Sequence, residues 1–187
     1  MVWNDKRILD WAQAGGVTPF DATCVNPASL DLRLGDLIRE PHPVWLDMTR
    51  EEMRESIELS EIDDFPKWGE AKRFDKFWLF PGEFVLCHSL ELVRIPDNCM
   101  SLLFSKSSTG RTGLEHLHAG LGDSSFNGQW VFELHNVAPW PIKLEAGKRY
   151  MQMTILQMAD APLLGYDKTG RYNGQSGPTP VRPERES

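Results

Sequence analysis

The sequence predicts an all-β protein with a few short helices. Between Phe77 and Leu156, apolar residues occur in short runs or alternate with polar ones. These runs are separated by four turn-forming pairs: Pro81-Gly82, Pro96-Asp97, Asn127-Gly128 and Ala146-Gly147. Several short strands at such spacing are typical of a β-sandwich or barrel. The length of 187 residues fits one domain that can bury a core.

The N-terminal segment predicts one short amphipathic helix over Asn4–Ala14. Asn4 or Asp5 can cap its start, and Gly15-Gly16 ends it. Three apolar residues are predicted to face inward: Ile8, Leu9 and Trp11.

The next segment predicts a half-buried strand. The turn signal Asn26-Pro27 precedes the alternating residues Leu30, Leu32 and Leu34. The residues between them, Asp31 and Arg33, are expected on the opposite face.

Residues 41–76 differ from the rest because they are acidic and poor in β-branched residues. Thr49 and Glu52 form a possible capping box, which predicts one short helix. We interpret this segment as a surface excursion inserted in a single domain of residues 1–165. The tail, 166–187, is rich in Gly, Pro and polar residues and is expected to be mobile.

Composition narrows the function classes. The net charge of −7 argues against a broad nucleic-acid-binding face, which needs basic residues. The three cysteines are far apart and form no C-x-x-C pair, which favours reduced thiols and a cytoplasmic location. The N-terminus has no apolar core typical of a signal peptide, and no apolar run is long enough to cross a membrane.

An anion-friendly stretch, "KSSTGR", occupies residues 106–111 of this acidic chain. Backbone amides beside Gly110 and the serine hydroxyls can form an anion-binding concavity. Lys106 adds a compact charge, and the guanidinium of Arg111 suits phosphate. The alternative is a solvated polar loop.

Glu133 interrupts an apolar strand in "QWVFELHN". Period two places it on one face with Val131 and His135. Burial would raise the pKa of this carboxyl toward the range in which it can shuttle protons. The alternative is a strand carboxylate that faces water.

The histidines suggest a metal site, since His116 and His118 share one face of an extended segment and His135 could join them. However, zinc nucleobase deaminases carry H-x-E and P-C-x-x-C, and both patterns are missing from this sequence. Ordinary positions are predicted for four other residues: His42 and His88 on the surface or in turns, Cys87 and Cys99 in the core.

Six ordered motifs resemble the dCTP deaminase branch of the trimeric dUTPase superfamily. They are "NPASLDLRLGD", "PGEFVLCHSLELVRIPDN", "SKSSTGRTGL", "AGLGDSSFNGQWVFELHN", "PIKLEAGKRYMQMTIL" and "RYNGQSGPTP". The resemblance covers about four-fifths of the chain and is weakest over 41–76. It implies a distorted, jelly-roll-like β-barrel of the dUTPase type, a homotrimer with active sites at subunit boundaries, and deamination without zinc.

The resemblance also implies roles for individual residues. The catalytic positions would be Glu133 as general base and acid, Ser107 and Arg111 beside the reacting base, and Ala119, whose carbonyl holds the attacking water. The nucleotide contacts would be Lys106 and Ser108 at the triphosphate, Asp123 at the 3′-hydroxyl, the backbone of Trp130 and Val131 at the pyrimidine edge, and Tyr166, Arg171 and Gln175 in a closing tail. Magnesium would arrive bound to the phosphates.

The chain departs from the family pattern in two places. The segment before Ala119 is one residue shorter, so that His118 stands where a threonine is common. Lys106 replaces an arginine. The shortened loop leads to the hypothesis of a substrate with a modified cytosine.

Four functions follow from these patterns. The first is hydrolysis of dCTP to dUTP and ammonia, with dTTP as a candidate inhibitor. The second is a bifunctional enzyme that yields dUMP and pyrophosphate. Asp123, Gln152 and the motif "GQSGPTP" resemble the corresponding residues of such bifunctional relatives. The third is a related enzyme for a modified dCTP, and the fourth is a nucleotide-binding regulatory module without catalysis.

Overall fold

A computed structural model describes residues 1–42, 49, 52, 68–117 and 119–182. The all-β prediction is confirmed. The described strands are β1 (Val17–Thr18), β2 (Val25–Asn26), β3 (Ser29–Arg33), β4 (Leu37–Ile38), β5 (Lys72–Arg73), β6 (Lys76–Leu79), β7 (Phe84–Arg94), β8 (Cys99–Ser105), β9 (Leu114–His116), β10 (Leu121–Gly122), β11 (Asn127–Asn136), β12 (Ile142–Glu145) and β13 (Arg149–Gln157). The described α-helices are α1 (Asp5–Trp11), α2 (Ser107–Gly110) and α3 (Tyr166–Thr169).

Two larger antiparallel sheets enclose the core. One has the strand order β1-β7-β11-β9, and the other has the order β10-β8-β13-β3-β2. Short pairs, β12 with β6 and β4 with β5, extend the structure. Alternate residues of the long strands meet between the sheets, including the fully buried Leu32, Phe132, Leu134, Met151 and Met153. Burial of these side chains supplies the main stabilising free energy.

The predicted N-terminal helix is present but shorter. Asn4 caps α1, since its side chain accepts a hydrogen bond from the Arg7 amide. The α-helix ends at Trp11, and Ala12–Gly16 forms a π-helical turn. Gly15 ends it with a φ of 94°, a conformation that glycine adopts without steric cost.

The predicted strand at Leu30 and Leu32 is confirmed as β3, but Asp31 is buried, with 3% of its surface exposed. Its carboxylate accepts a hydrogen bond from Asn26 Nδ2 at 2.9 Å and forms an ion pair with Lys106. Arg149 lies 3.8 Å away. Alternation alone places Asp31 on a solvated face, and these cationic partners explain the difference.

The prediction that His88 lies on the surface or in a turn is wrong. His88 is in β7 and only 4% exposed, with its ring packed against Gly35. Its Nδ1 donates to Ser89 O at 2.8 Å, and its Nε2 accepts the Leu37 amide at 3.3 Å. Burial lowers the pKa of this imidazole, which therefore stays neutral.

Other predictions are confirmed. Cys24, Cys87 and Cys99 are buried free thiols. Thr49 and Glu52 make the reciprocal capping-box hydrogen bonds. The rest of the predicted excursion between 43 and 67 lies outside the described residues. Within the ranges given above, we find no helix long and apolar enough to span a membrane.

Candidate active site

Strand β11 carries the central carboxylate. Phe132 and Leu134 are fully buried on the core face, and the alternation places Glu133 on the opposite face. Across the sheet Glu133 is paired with Leu86 of β7. The side chain of Glu133 is 23% exposed, so this carboxyl reaches a cavity but has lost most of its hydration.

This burial changes the acidity of Glu133. It raises the pKa of the carboxyl to about 7, because the charged form loses hydration. The imidazole of His116, in β9, places Nδ1 3.1 Å from Oε2 of Glu133 and is 2% exposed. The Leu117 amide donates to the Glu133 carbonyl at 3.2 Å and fixes the segment after β9 on this strand. A carboxyl with a pKa near neutrality can accept and return a proton at physiological pH.

A cavity of about 450 Å³ opens beside Glu133. Its lining brings together seven of the predicted site residues: Ala119, Asp123, Trp130, Val131, Glu133, Tyr166 and Gln175. Much of the remaining wall is apolar and includes Trp68, Phe84, Leu86 and Phe126. An apolar cavity with a few polar groups is the usual form of a small-molecule site.

A β-bulge shapes one wall of this cavity. The register between β11 and β7 shifts between Gln129 and Val131, so that Trp130 has no partner residue in the ladder. The buried Ser89 hydroxyl accepts the Trp130 amide at 2.8 Å and donates to Glu91 O at 2.6 Å. Ser89 therefore holds the backbone at Trp130, which lies outside the regular pairing.

The turn before β11 joins Asp123 to the start of the tail. Asp123 is exposed at the cavity, and the Phe126 amide donates to its carbonyl at 3.2 Å. The Tyr166 amide donates to Ser124 O at 2.9 Å. The ring of Phe126 lies between Trp130 and Tyr166, at centroid distances of 5.6 and 5.9 Å. These contacts link the cavity wall to the tail.

The tail packs along its own strand β11 as far as it is described. The Gly174 amide donates to Asn127 O at 2.7 Å, and the Gln129 amide donates to Gln175 O at 3.0 Å. The side chain of Gln175, 8% exposed, donates to Gln129 O at 2.8 Å. Tyr172, Thr179 and other tail residues complete the lining. Its predicted mobility stays a prediction.

The cationic turn at 106–111 consists of Lys106, the short helix α2 and Arg111. Ser107, Ser108 and Arg111 are exposed. The amides from Gly110 to Gly113 donate to carbonyls within the turn. Trp140 Nε1 donates to Thr112 O at 3.1 Å and fixes the end of the turn. The anion-binding concavity beside Gly110 stays a prediction.

Six predicted residues lie apart from the cavity lining within the described part of the chain: Lys106, Ser107, Ser108, Arg111, Gln152 and Arg171. Lys106 forms the ion pair with Asp31. Gln152 of β13 is paired with Asp31 on one side and Phe104 on the other. Arg171 is half-buried, and its carbonyl accepts a hydrogen bond from Arg182. Within one chain, the Glu133 cavity and the cationic turn therefore lie apart.

The model of the dCTP deaminase-like family matches residues 2–158. The chain belongs to this family. This confirms the resemblance recognised in the sequence. Among relatives of the dCTP deaminase-like family, a protein of Mycolicibacterium vanbaalenii named "dCTP deaminase, dUMP-forming" is 38% identical over 97% of this chain and 95% of its own length. A protein of Rhodococcus opacus with the same name is 37% identical over 97% of this chain and 96% of its own length.

A solved structure supports the same fold. The crystal structure of 2′-deoxycytidine 5′-triphosphate deaminase from Agrobacterium tumefaciens superposes with a TM-score of 0.62 at 19% identity. The match covers 82% of this chain and 47% of that longer chain. The β fold predicted for this member of the dCTP deaminase-like family is therefore confirmed.

Sequence reasoning missed several residues of the site. The sequence pattern suggests His116 as a metal ligand, whereas in the structure its Nδ1 lies 3.1 Å from Oε2 of Glu133. The sequence signal for this contact is the position of His116 shortly before the Ala119-Gly120 pair. Ser89 and Gln129 carry no motif, because their roles depend on the bulge and on the docked tail. His118 lies outside the described residues.

Proposed function

We propose that this protein is a dCTP deaminase that forms dUMP. The reaction consumes dCTP and two water molecules and yields dUMP, ammonia and pyrophosphate. The observation that carries the proposal is the buried carboxyl of Glu133, with a pKa of about 7, at a cavity of nucleotide size in this family. The relatives named above as dUMP-forming favour this reaction over release of dUTP.

In the proposed deamination, Glu133 acts as general base and then as general acid. It takes a proton from a water held by the Ala119 carbonyl, and this water attacks C4 of cytosine. Glu133 passes this proton to N3, then takes the second proton from the hydroxyl now bonded to C4 and delivers it to the amino group, so that the C4–N bond breaks, ammonia departs and a carbonyl remains at C4. His116 lies beside Oε2 and orients the carboxylate. The desolvated site strengthens each of these electrostatic interactions.

The nucleotide contacts follow the resemblance. The backbone of Trp130, which is unpaired at the bulge, and that of the adjacent Val131 would read the pyrimidine edge. Asp123 would hold the 3′-hydroxyl, and Tyr166, Arg171 and Gln175 would close over the phosphates. Magnesium would be carried by the triphosphate and would neutralise its charge.

The cationic turn is proposed to serve the cavity of a second subunit in a homotrimer. Ser107 and Arg111 are exposed and do not line the Glu133 cavity, and the described lining of that cavity contains no arginine. A boundary between subunits would bring the two halves together.

An exposed apolar surface supports this assembly. Leu102 and Phe104 alternate along β8, and Leu121 is paired with Leu102, so the three share the face opposite the buried Leu103. Phe104 is 49% exposed and Leu121 58% exposed. Such a patch beside the cavity residues Gly122 and Asp123 is the kind of surface that oligomers bury.

Product analysis tests the proposed function. The protein is incubated with dCTP and magnesium, and nucleotides, pyrophosphate and ammonia are quantified over time. Equal amounts of dUMP, pyrophosphate and ammonia are expected. Accumulation of dUTP would identify a deaminase alone. Nucleotide binding without ammonia would favour a regulatory module, and faster turnover of 5-methyl-dCTP would support a modified substrate.

A further inference from the structure

Gln129 lies at the contact between strand β11 and the tail. Its side-chain amide forms hydrogen bonds with the tail on one side and with β7 on the other. Its Oε1 accepts the Gly177 amide at 2.7 Å and the Ser176 hydroxyl at 3.1 Å. Its Nε2 donates to the carbonyls of Ser89 at 3.0 Å and Leu90 at 3.3 Å. One side chain therefore bridges β7 and the tail.

The backbone of Gln129 adds two further hydrogen bonds to the same segment. Its amide donates to Gln175 O at 3.0 Å, and its carbonyl accepts Gln175 Nε2 at 2.8 Å. The segment from Tyr172 to Val181 contributes several residues to the cavity lining. Gln129 therefore contributes several of the hydrogen bonds that hold this part of the lining.

The segment contains two glycines, and further hydrogen bonds also hold it: the Gly174 amide donates to Asn127 O at 2.7 Å, and the Asn127 amide donates to Asn173 Oδ1 at 2.8 Å. Gly174 and Gly177 both have positive φ, at 76° and 68°. Ser176 is exposed. Because glycines lower the preference for any single backbone conformation, ordering this segment costs entropy that specific contacts must offset.

From these contacts we propose that Gln129 is a positioning residue, which holds the tail segment 173–177 on the cavity before nucleotide binds. Its effect on catalysis rests on the proposed function, but its effect on the tail does not. The side-chain amide of Gln129 holds Ser176 and Gly177, and its backbone holds Gln175 at the lining. The affinity for nucleotide then depends on the fraction of chains in which the tail is docked.

The test replaces Gln129 by methionine, which keeps the length and removes both polar ends. The matched control is Gln157→Met, because Gln157 is also a strand glutamine that donates to a backbone carbonyl, Asn98 O at 3.0 Å. Hydrogen exchange of the free protein is measured by mass spectrometry. For Q129M we expect at least tenfold faster exchange in the peptide spanning 173–177, with β8 and β13 unchanged, and for Q157M no change in that peptide.

Kinetics give the second readout. For Q129M we expect the KM for dCTP to rise about fivefold while kcat stays within twofold. The reason is that weaker docking of the tail lowers the affinity for nucleotide but does not change the chemical step. Unchanged exchange at 173–177, or a fall in kcat with unchanged KM, would overturn the proposal. If dCTP is not turned over, the proposed function fails while the exchange result still decides the role of Gln129.

A second variant covers the case in which Q129M does not fold. Ser176→Ala removes one donor from the exposed side of the contact and leaves β11 intact. We expect about threefold faster exchange at 173–177. Exchange identical to the parent in both S176A and any folded Gln129 variant would contradict the proposal.

Discussion

The Glu133 cavity and the cationic turn differ in how far a single chain prepares them. Glu133 is largely buried, contacts His116 and lies in a cavity whose walls include residues of strands β7, β10 and β11 and of the tail. Ser107, Ser108 and Arg111 are exposed on a turn held by its own backbone and by Trp140. Proton transfer needs a desolvated carboxyl, whereas phosphate binding needs only accessible charge. A chain can therefore complete the first alone and leave the second for assembly.

The largest effect on activity is expected from replacement of the Glu133 carboxyl. Glu133→Gln keeps the shape of the side chain and removes the proton shuttle, so we expect deamination to fall by about 10³-fold or more with nucleotide binding retained. Ammonia release and equilibrium binding of dCTP check this. The control is Glu115→Gln on β9, which changes a neighbouring glutamate paired with His135. Near-parental turnover by E133Q would refute the assignment.

Mixed subunits test whether the two regions meet across a boundary. Glu133→Gln and Arg111→Ala are each expected to be inactive. Co-refolded in equal amounts, they should regain about a quarter of the parental rate, because one boundary in four would pair an intact Glu133 with an intact Arg111. The rate is compared with each variant refolded alone. No recovery in trimers shown to be mixed would place both residues in one subunit's site.

The acidity of Glu133 predicts a pH profile. Since the pKa of its carboxyl is raised to about 7, the group is protonated below that value and cannot act as base. The value of kcat/KM should therefore rise about tenfold per pH unit up to neutrality and level off above it. Initial rates from pH 5.5 to 8.5 check this. A flat profile would show that the free carboxyl ionises with an ordinary pKa.

The smallest effect is expected at the bulge. Ser89→Ala leaves the buried Trp130 amide and Glu91 carbonyl without their hydroxyl partner, which should lower the free energy of unfolding by about 1–3 kcal/mol. The control is Ser101→Ala, an equally buried serine whose one described bond is 3.4 Å long. Urea unfolding measures both. A loss no larger than that of S101A would contradict the role assigned to Ser89.

Alternation of apolar residues predicts the strands, but it does not predict which polar residues are buried. Period-two alternation around Phe132 and Leu134 predicted β11, and the face of Glu133 followed from it. The same rule misplaces Asp31, because its burial depends on Lys106, which is distant in sequence, and on Asn26 of the adjacent strand β2. The prediction for His88 fails for the same reason, since Gly35 and Leu37, distant in sequence, pack against its ring.

By itself, the sequence determined the all-β class, the family and the identity of the central carboxylate, because periodicity and ordered motifs are local properties of the chain. Only the tertiary structure decided that Glu133 is desolvated beside His116, that Ser89 supports a bulge, and that the tail docks on Gln129. Burial and hydrogen bonding between distant residues set these features, and no short stretch of sequence encodes them.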